Sequence, residues 1–243
     1  MKNSTDFNKL VDLFKSLTGA KSMRQVFDDC VGMYALSIQN VFTTEDVFIQ
    51  NEKKYKEYAE NYSKDELVII KNILSEIISQ LEYNSFQDLF GELYMNLGLS
   101  SKTLKQTFTP FDVAYLMAKL SFDKGQVDKE ISKNGYFTLF EPSVGSGVNV
   151  IAFCKVFQEH GYNFQTQCVV VCQELHRLSA MMSYITLSLI GCLAIIKVGD
   201  ALSDPYTHYL DECAKSSEIW TTAMFHCRIF ITDLPVTKTI SKW

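Results

Sequence analysis

Apolar positions in the first hundred residues recur at helical spacing. Within residues 4–19, Phe7, Leu10, Val11, Phe14 and Leu17 share one helix face, with Ser4, Thr5 or Asp6 as candidate caps and Gly19 as the stop. Residues 22–39 predict a second helix that buries Val26, Phe27, Cys30, Val31 and Tyr34. Residues 43–62 are polar, rich in Lys, Glu and Tyr, and predict a partly helical, solvated stretch. Ser63 and Glu66 make a capping box, in which each side chain bonds the other residue's backbone N–H. The helix it opens carries Ile70, Ile73, Leu74, Ile77, Ile78 and Leu81 on one side. A further helix with Phe86, Leu89, Phe90, Leu93, Tyr94 and Leu97 stops at Gly98. Residues 1–100 therefore predict a helical domain. Its apolar stripes are core or a partner interface, which periodicity does not separate.

Beyond residue 100 the pattern changes. Residues 110–121 predict a helix with Pro110 in its first turn and Val113, Leu116, Met117 and Leu120 at helical spacing. Residues 122–135 are polar and predict a loop. Four short apolar runs follow, at 137–140, 168–172, 193–198 and 227–232, with helical stretches after the first and before the third. A continuous apolar run fits a parallel strand buried on both faces. Alternation of strand and helix predicts an α/β domain over residues 101–243, built on a doubly wound, mostly parallel, Rossmann-like sheet.

Parallel strands bring their carboxyl ends to one edge of a sheet, where α/β folds bind ligands. The first strand ends in Glu141, Pro142, Ser143, Val144, Gly145, Ser146 and Gly147. Two glycines two apart allow a sharp turn and the close approach of a ligand. The helix that follows points its positive end at that position. The second run is followed by Gln173 and Glu174, the third by Gly199 and Asp200, and the fourth by Asp233. An acid at each strand end is the strongest sign of a site. A carboxylate after the second strand can accept both hydroxyls of a ribose, and one after the third can accept from an exocyclic amine. Taken singly, each acid is also explained as a solvated turn residue or a helix cap.

Composition narrows the classes. Hydrophobic residues make up 47% and charged residues 21% of the chain, which is a globular balance. No run approaches the roughly 20 apolar residues of a membrane span, and the N-terminus has no apolar signal core, so a cytoplasmic protein is expected. The seven cysteines are scattered, without a Cys-x-x-Cys pair, and predict buried thiols rather than a metal site. The net charge of −5 argues against a chain that clamps nucleic acid unaided.

Residues from about 85 to 236 resemble the modification subunit of type I restriction-modification systems and related adenine-N6 DNA methyltransferases. Gln106, Thr107, Phe108, Thr109 and Pro110 are similar to that family's Gln-Phe-Thr-Pro segment. Glu141 to Gly147 resemble its (Asp/Glu)-Pro-x-x-Gly-Ser-Gly loop. Cys172, Gln173, Glu174 and Leu175 resemble its Gly-Gln-Glu segment, and Gly199, Asp200, Ala201 and Leu202 its Gly-Asp-Thr-Leu segment. The resemblance implies an S-adenosylmethionine-dependent methyltransferase sheet behind an N-terminal helical domain. It implies that Thr107, Thr109 and Pro110 cover the cofactor and that Glu141, Pro142, Ser143, Gly145, Ser146 and Gly147 cradle it. Glu174 with Leu175 would hold the ribose, and Asp200 with Ala201 the adenine. The implied partners are DNA and further restriction-modification subunits, with target recognition supplied by a specificity subunit or another segment.

The family's catalytic (Asn/Asp)-Pro-Pro-(Tyr/Phe) segment is replaced here by Asp233, Leu234, Pro235 and Val236. Asp233 and the Leu234 carbonyl supply acceptors for an amine, which would attack the methyl group directly. Val236 lacks the ring on which a flipped base stacks, a contact of roughly 1–3 kcal/mol. The family's sheet also has further strands, so the sheet here is expected to be incomplete at its C-terminal side. Three functions stay open: an adenine-N6 DNA methyltransferase, a degenerate methyltransferase-like module that acts through partner contacts, and methylation of a protein glutamine or of RNA by a similar site. Against the third, the helical first domain and the Thr107 to Pro110 segment point to the DNA family.

Overall fold

The computed structural model describes residues 4–100, 108–206 and 218–231. The chain opens with five helices. They are α1 (Ser4–Ser16), α2 (Met23–Gln39), α3 (Glu45–Ala59), α4 (Lys64–Tyr83) and α5 (Leu89–Asn96). Ser22 caps α2 by accepting from Gln25 N. The capping box at Ser63 and Glu66 forms as its sequence predicts. α3 buries no residue, in keeping with its polar sequence. Leu10, Phe14, Phe27, Ile73, Ile77 and Phe90 are fully buried and join these helices into one core.

The α/β part follows. Its elements are α6 (Phe111–Ser121), α7 (Lys124–Asn134), β1 (Phe137–Glu141), α8 (Val148–Glu159), α9 (Phe164–Gln167), β2 (Cys168–Glu174), α10 (Arg177–Leu189), β3 (Leu193–Val198), β4 (Ile219–Thr221) and α11 (Ala223–Ile231). The sheet order is β1-β2-β3-β4. β1, β2 and β3 are parallel, and β4 runs antiparallel to β3. Cys168, Val170, Cys172, Ala194 and Ile196 face α8 and α10 within the main core. On the opposite face Val171 and Ile195 meet Tyr206, Ile219 and Phe225, the last of these on α11. The fold is thus α/β, with a mostly parallel sheet layered on both faces and helices preceding it. One apolar cluster runs from α1 through α2 and α10 into the sheet, so the helices and the sheet share a core.

Three details differ from the sequence expectation. Residues 122–135 are not a loop: Asp123 caps α7 by accepting from Gln126 N, and Gly135 ends it at φ +81°. That helix is polar, with Val127 its one buried residue, so it lacks the stripe that marks a helix in sequence. The apolar run at 227–232 is not a parallel strand, because residues 223–231 are helical. Short apolar runs fit either element, and only the surroundings decide between them. The fourth strand is the three-residue β4, too short to stand out. The third difference is the orientation of α6. Its buried residues are Ala114 and Ala118, while Val113, Leu116, Met117 and Leu120 point outward. Small residues let α6 approach α8 closely.

Five of the described cysteines, Cys30, Cys154, Cys168, Cys172 and Cys192, are buried thiols, while Cys227 is exposed. Burial pushes the Cys30 thiol up to about 12, so it stays protonated. Among the described residues, no helix is long and apolar enough to cross a membrane, and no cluster of three His, Cys, Asp or Glu is placed to hold a metal ion.

Candidate functional site

β1 ends at Glu141, whose carboxylate folds back on the loop that follows. Ser143 N donates to its Oε1 and Asn149 Nδ2 to its Oε2, both at 3.1 Å. Gly145 has φ +56° and Gly147 φ +105°, so the loop uses backbone geometry that side chains resist. Gly147 caps α8, and its N–H donates to Val144 O at 2.8 Å. Val144 N donates in turn to Gln173 O at 3.0 Å, which fastens the loop to the end of β2.

Glu174 closes the arrangement. Its Oε2 accepts from Gly145 N at 2.9 Å, and its Oε1 accepts from His176 N at 2.9 Å. The residue is buried, at 7% exposure. Each carboxylate oxygen has a second lone pair, so acceptor capacity remains for a ligand hydroxyl. Gly199 N donates to Glu174 O at 2.9 Å, which sets the end of β3 beside the end of β2.

Asp200 begins the turn after β3. Leu202 N donates to Oδ1 at 2.9 Å and Ser203 Oγ to Oδ2 at 3.0 Å. These bonds, the backbone one foremost, hold its carboxyl below the usual range and keep it ionised. The turn is pinned from beneath. Gln173 Nε2 and Lys197 Nζ both donate to Asp204 O at 2.9 Å, and Tyr206 N donates to Gln173 Oε1. Lys197 is also paired with Asp204 Oδ1 at 2.8 Å.

The helical part contributes as well. Ser146 Oγ donates to Asp88 Oδ2 at 2.8 Å, and both residues are buried. Asp88 also caps α5 by accepting from Gly91 N. The Phe108 ring lies edge-on to Tyr94, 5.4 Å between centroids. It stands 3.5 Å from the place a Cβ on Gly145 would occupy. A cavity of about 760 Å³ opens beside Phe108 and is lined by Asp88, Gly91, Thr109, Pro110 and Lys155 among others. Gly145, Glu174 and Asp200 are not in its lining.

The structure therefore brings Glu141, Gly145, Ser146, Gly147 and Glu174 into one bonded unit, with Asp200 on the neighbouring turn. Pro142 and Ser143 are exposed on the rim, as is Leu175. Ala201 is half-buried behind Asp200, and Thr109 and Pro110 lead into α6. Thr107 lies outside the described residues, and so do Asp233, Leu234, Pro235 and Val236. Sequence reasoning missed Asp88, Gln173 as a turn anchor, and the pair Lys197 and Asp204. Lys197 had a visible signal, a lone cation in an otherwise apolar strand. Asp88 had one too, an Asp at a helix start.

No family model matches the chain, and no curated protein matches it. Among solved structures it is similar to a candidate class I S-adenosylmethionine-dependent methyltransferase from Listeria monocytogenes. That likeness covers 92% of this chain and 68% of the other at 13% identity, with a TM-score of 0.44.

Proposed function

We propose that this chain is an S-adenosylmethionine-dependent methyltransferase acting on the exocyclic amine of adenine in DNA. The supporting observation is the joining of the glycine loop to the acid of the next strand, Gly145 N to Glu174 Oε2 at 2.9 Å, at the carboxyl edge of parallel strands. A loop of small residues, a helix N-terminus and two carboxylates on adjacent turns form a donor and acceptor set that fits an adenosine with a charged tail. Glu174 would hold the ribose hydroxyls, Asp200 the adenine amine, and the Gly145 to Gly147 backbone the amino-acid part. Thr109 and Pro110 would close over them. The cofactor supplies an electrophilic methyl group when bound. Asp233 and the Leu234 carbonyl would accept the protons of the target amine and orient it, as the resemblance implies. With a net charge of −5, the chain would depend on a partner subunit for its grip on DNA.

A second reading follows from the bonds that Glu174 already makes. Both of its oxygens bind backbone N–H groups of the chain itself, Gly145 and His176. A module that keeps this seal as architecture and works through partner contacts would need no cofactor. Transfer of a labelled methyl group to DNA separates the two. The proposal expects transfer when a recognition partner is present, and its loss in Asp233→Ala. Absence of transfer under every partner condition would overturn it in favour of the second reading.

A further inference from the structure

α6 presents two unlike faces. Ala114 and Ala118 are buried against α8, at 1% and 6% exposure. Val113, Leu116, Met117 and Leu120 lie on the outward side, at 47%, 57%, 53% and 80% exposure. Their spacing of i, i+3, i+4 and i+7 makes a continuous stripe along one side of the helix. Four large apolar side chains in one stripe are unusual on a solvated helix. A contiguous apolar patch of this kind is often functional surface.

The charges beside the stripe indicate what covers it. Asp112 stands in the first turn of α6 and Lys119 in the last. They are seven residues apart, about two turns, so they flank the stripe on the same side. In an antiparallel pair of identical helices, like flanks face each other and the ends are exchanged. Asp112 of one copy then meets Lys119 of the other, twice, about a centre near Leu116. The stripe has nearly the same centre, so the apolar and ionic contacts share one two-fold axis. Such self-complementarity is what an isologous interface requires. Lys119 is half exposed on that flank, with its Nζ 4.5 Å from the centroid of the Tyr115 ring. Its contact with Glu159 is loose, at 3.8 Å, and half exposed.

We propose that α6 pairs antiparallel with α6 of a second copy of this chain, with Leu116 and Met117 at the centre and Asp112 against Lys119 of the partner subunit on either side. A contact through the 11 residues of α6 alone falls short of the roughly 800 Å² per partner of a standard interface, so the dimer is weak and concentration-dependent. This association does not rest on the methyltransferase reading, since it uses none of the strand-end residues.

Sedimentation velocity over a dilution series of the full chain tests it. The weight-average mass should rise toward twice the monomer value with concentration. Leu116→Asp with Leu120→Asp should hold the chain at the monomer mass, with an unchanged circular dichroism melt showing that the fold persists. Lys119→Asp alone should weaken the dimer by about tenfold or more, since it sets like charges opposite each other twice. Adding Asp112→Lys to it should restore the dimer, a rescue that adventitious apolar contact would not give. A monomer at every concentration would overturn the proposal. So would a dimer indifferent to the charge exchange, or cover of the stripe by a different protein.

Discussion

Ser146 and Asp88, 58 residues apart, are joined by a 2.8 Å hydrogen bond between two buried side chains. Asp88 is the cap of α5, and Ser146 sits between the two positive-φ glycines of the strand-end loop. The position of that loop therefore depends on a helix of the N-terminal part. A bond to an ionised carboxylate is stronger than one between neutral groups, and leaving its hydroxyl unpaired in the interior is costly.

Asp88→Ala should lower the unfolding free energy by about 2–4 kcal/mol, by losing a helix cap and orphaning the Ser146 hydroxyl. Ser146→Ala should cost less, because Asp88 keeps its bond from Gly91 N. Urea denaturation of both single variants and the double variant gives the coupling. A coupling near zero would mean that the two residues do not act together.

The two loop glycines should differ in their tolerance of a side chain. At Gly145, φ +56° is a left-handed conformation that costs an L residue about 1–2 kcal/mol, and the added Cβ would only touch the Phe108 ring. At Gly147, φ +105° lies outside even that region, while the Cβ would meet Ser183 only at ordinary contact distance. Gly147→Ala is therefore expected to be the more damaging, by more than about 1 kcal/mol over Gly145→Ala. Thermal melts of the pair decide the order.

On α6, the buried and outward faces should respond oppositely. Ala118→Leu forces volume into the contact with α8 and should destabilise by about 1–3 kcal/mol. Leu120→Ala should stay within about 0.5 kcal/mol, since that side chain is 80% exposed. Chemical denaturation at concentrations that keep the chain monomeric would show the contrast. An equal cost at both positions would contradict the orientation of the helix.

His226 holds α11 against two neighbours. Its ring stacks on Phe42 with centroids 5.1 Å apart, and its Nε2 lies 2.7 Å from Thr221 Oγ1. Burial lowers its pKa below the ordinary 6.5. With the folded value below the unfolded one, the unfolded chain takes up the proton first as pH falls. The stability of the neutral ring is therefore intact above 6.5 and lost progressively below it. The melting temperature should fall between neutral and mildly acidic pH more steeply in the wild type than in His226→Gln. Equal slopes would remove His226 from the account.

The sequence shows the site's backbone more clearly than its supports. Gly145 and Gly147 announce a turn because few other residues adopt its φ values. Glu174 and Asp200 are visible because they stand at the ends of apolar runs rich in β-branched residues. Asp88 is hidden by distance, since its bond to Ser146 joins chain segments that no local pattern connects. α6 misleads for a physical reason: Val113, Leu116, Met117 and Leu120 have the periodicity of a core face, yet close packing on α8 selects Ala114 and Ala118. The run at residues 227–232 is apolar enough for either element, and its described part, 227–231, is helical.

Calorimetric titration of the full chain with S-adenosylmethionine, repeated on Asp200→Ala, addresses the central claim most directly. The account predicts saturable binding to the wild type, weakened at least about tenfold by the loss of the amine acceptor. No heat of binding at millimolar cofactor would contradict it, and the bond between Gly145 and Glu174 would then be architecture alone.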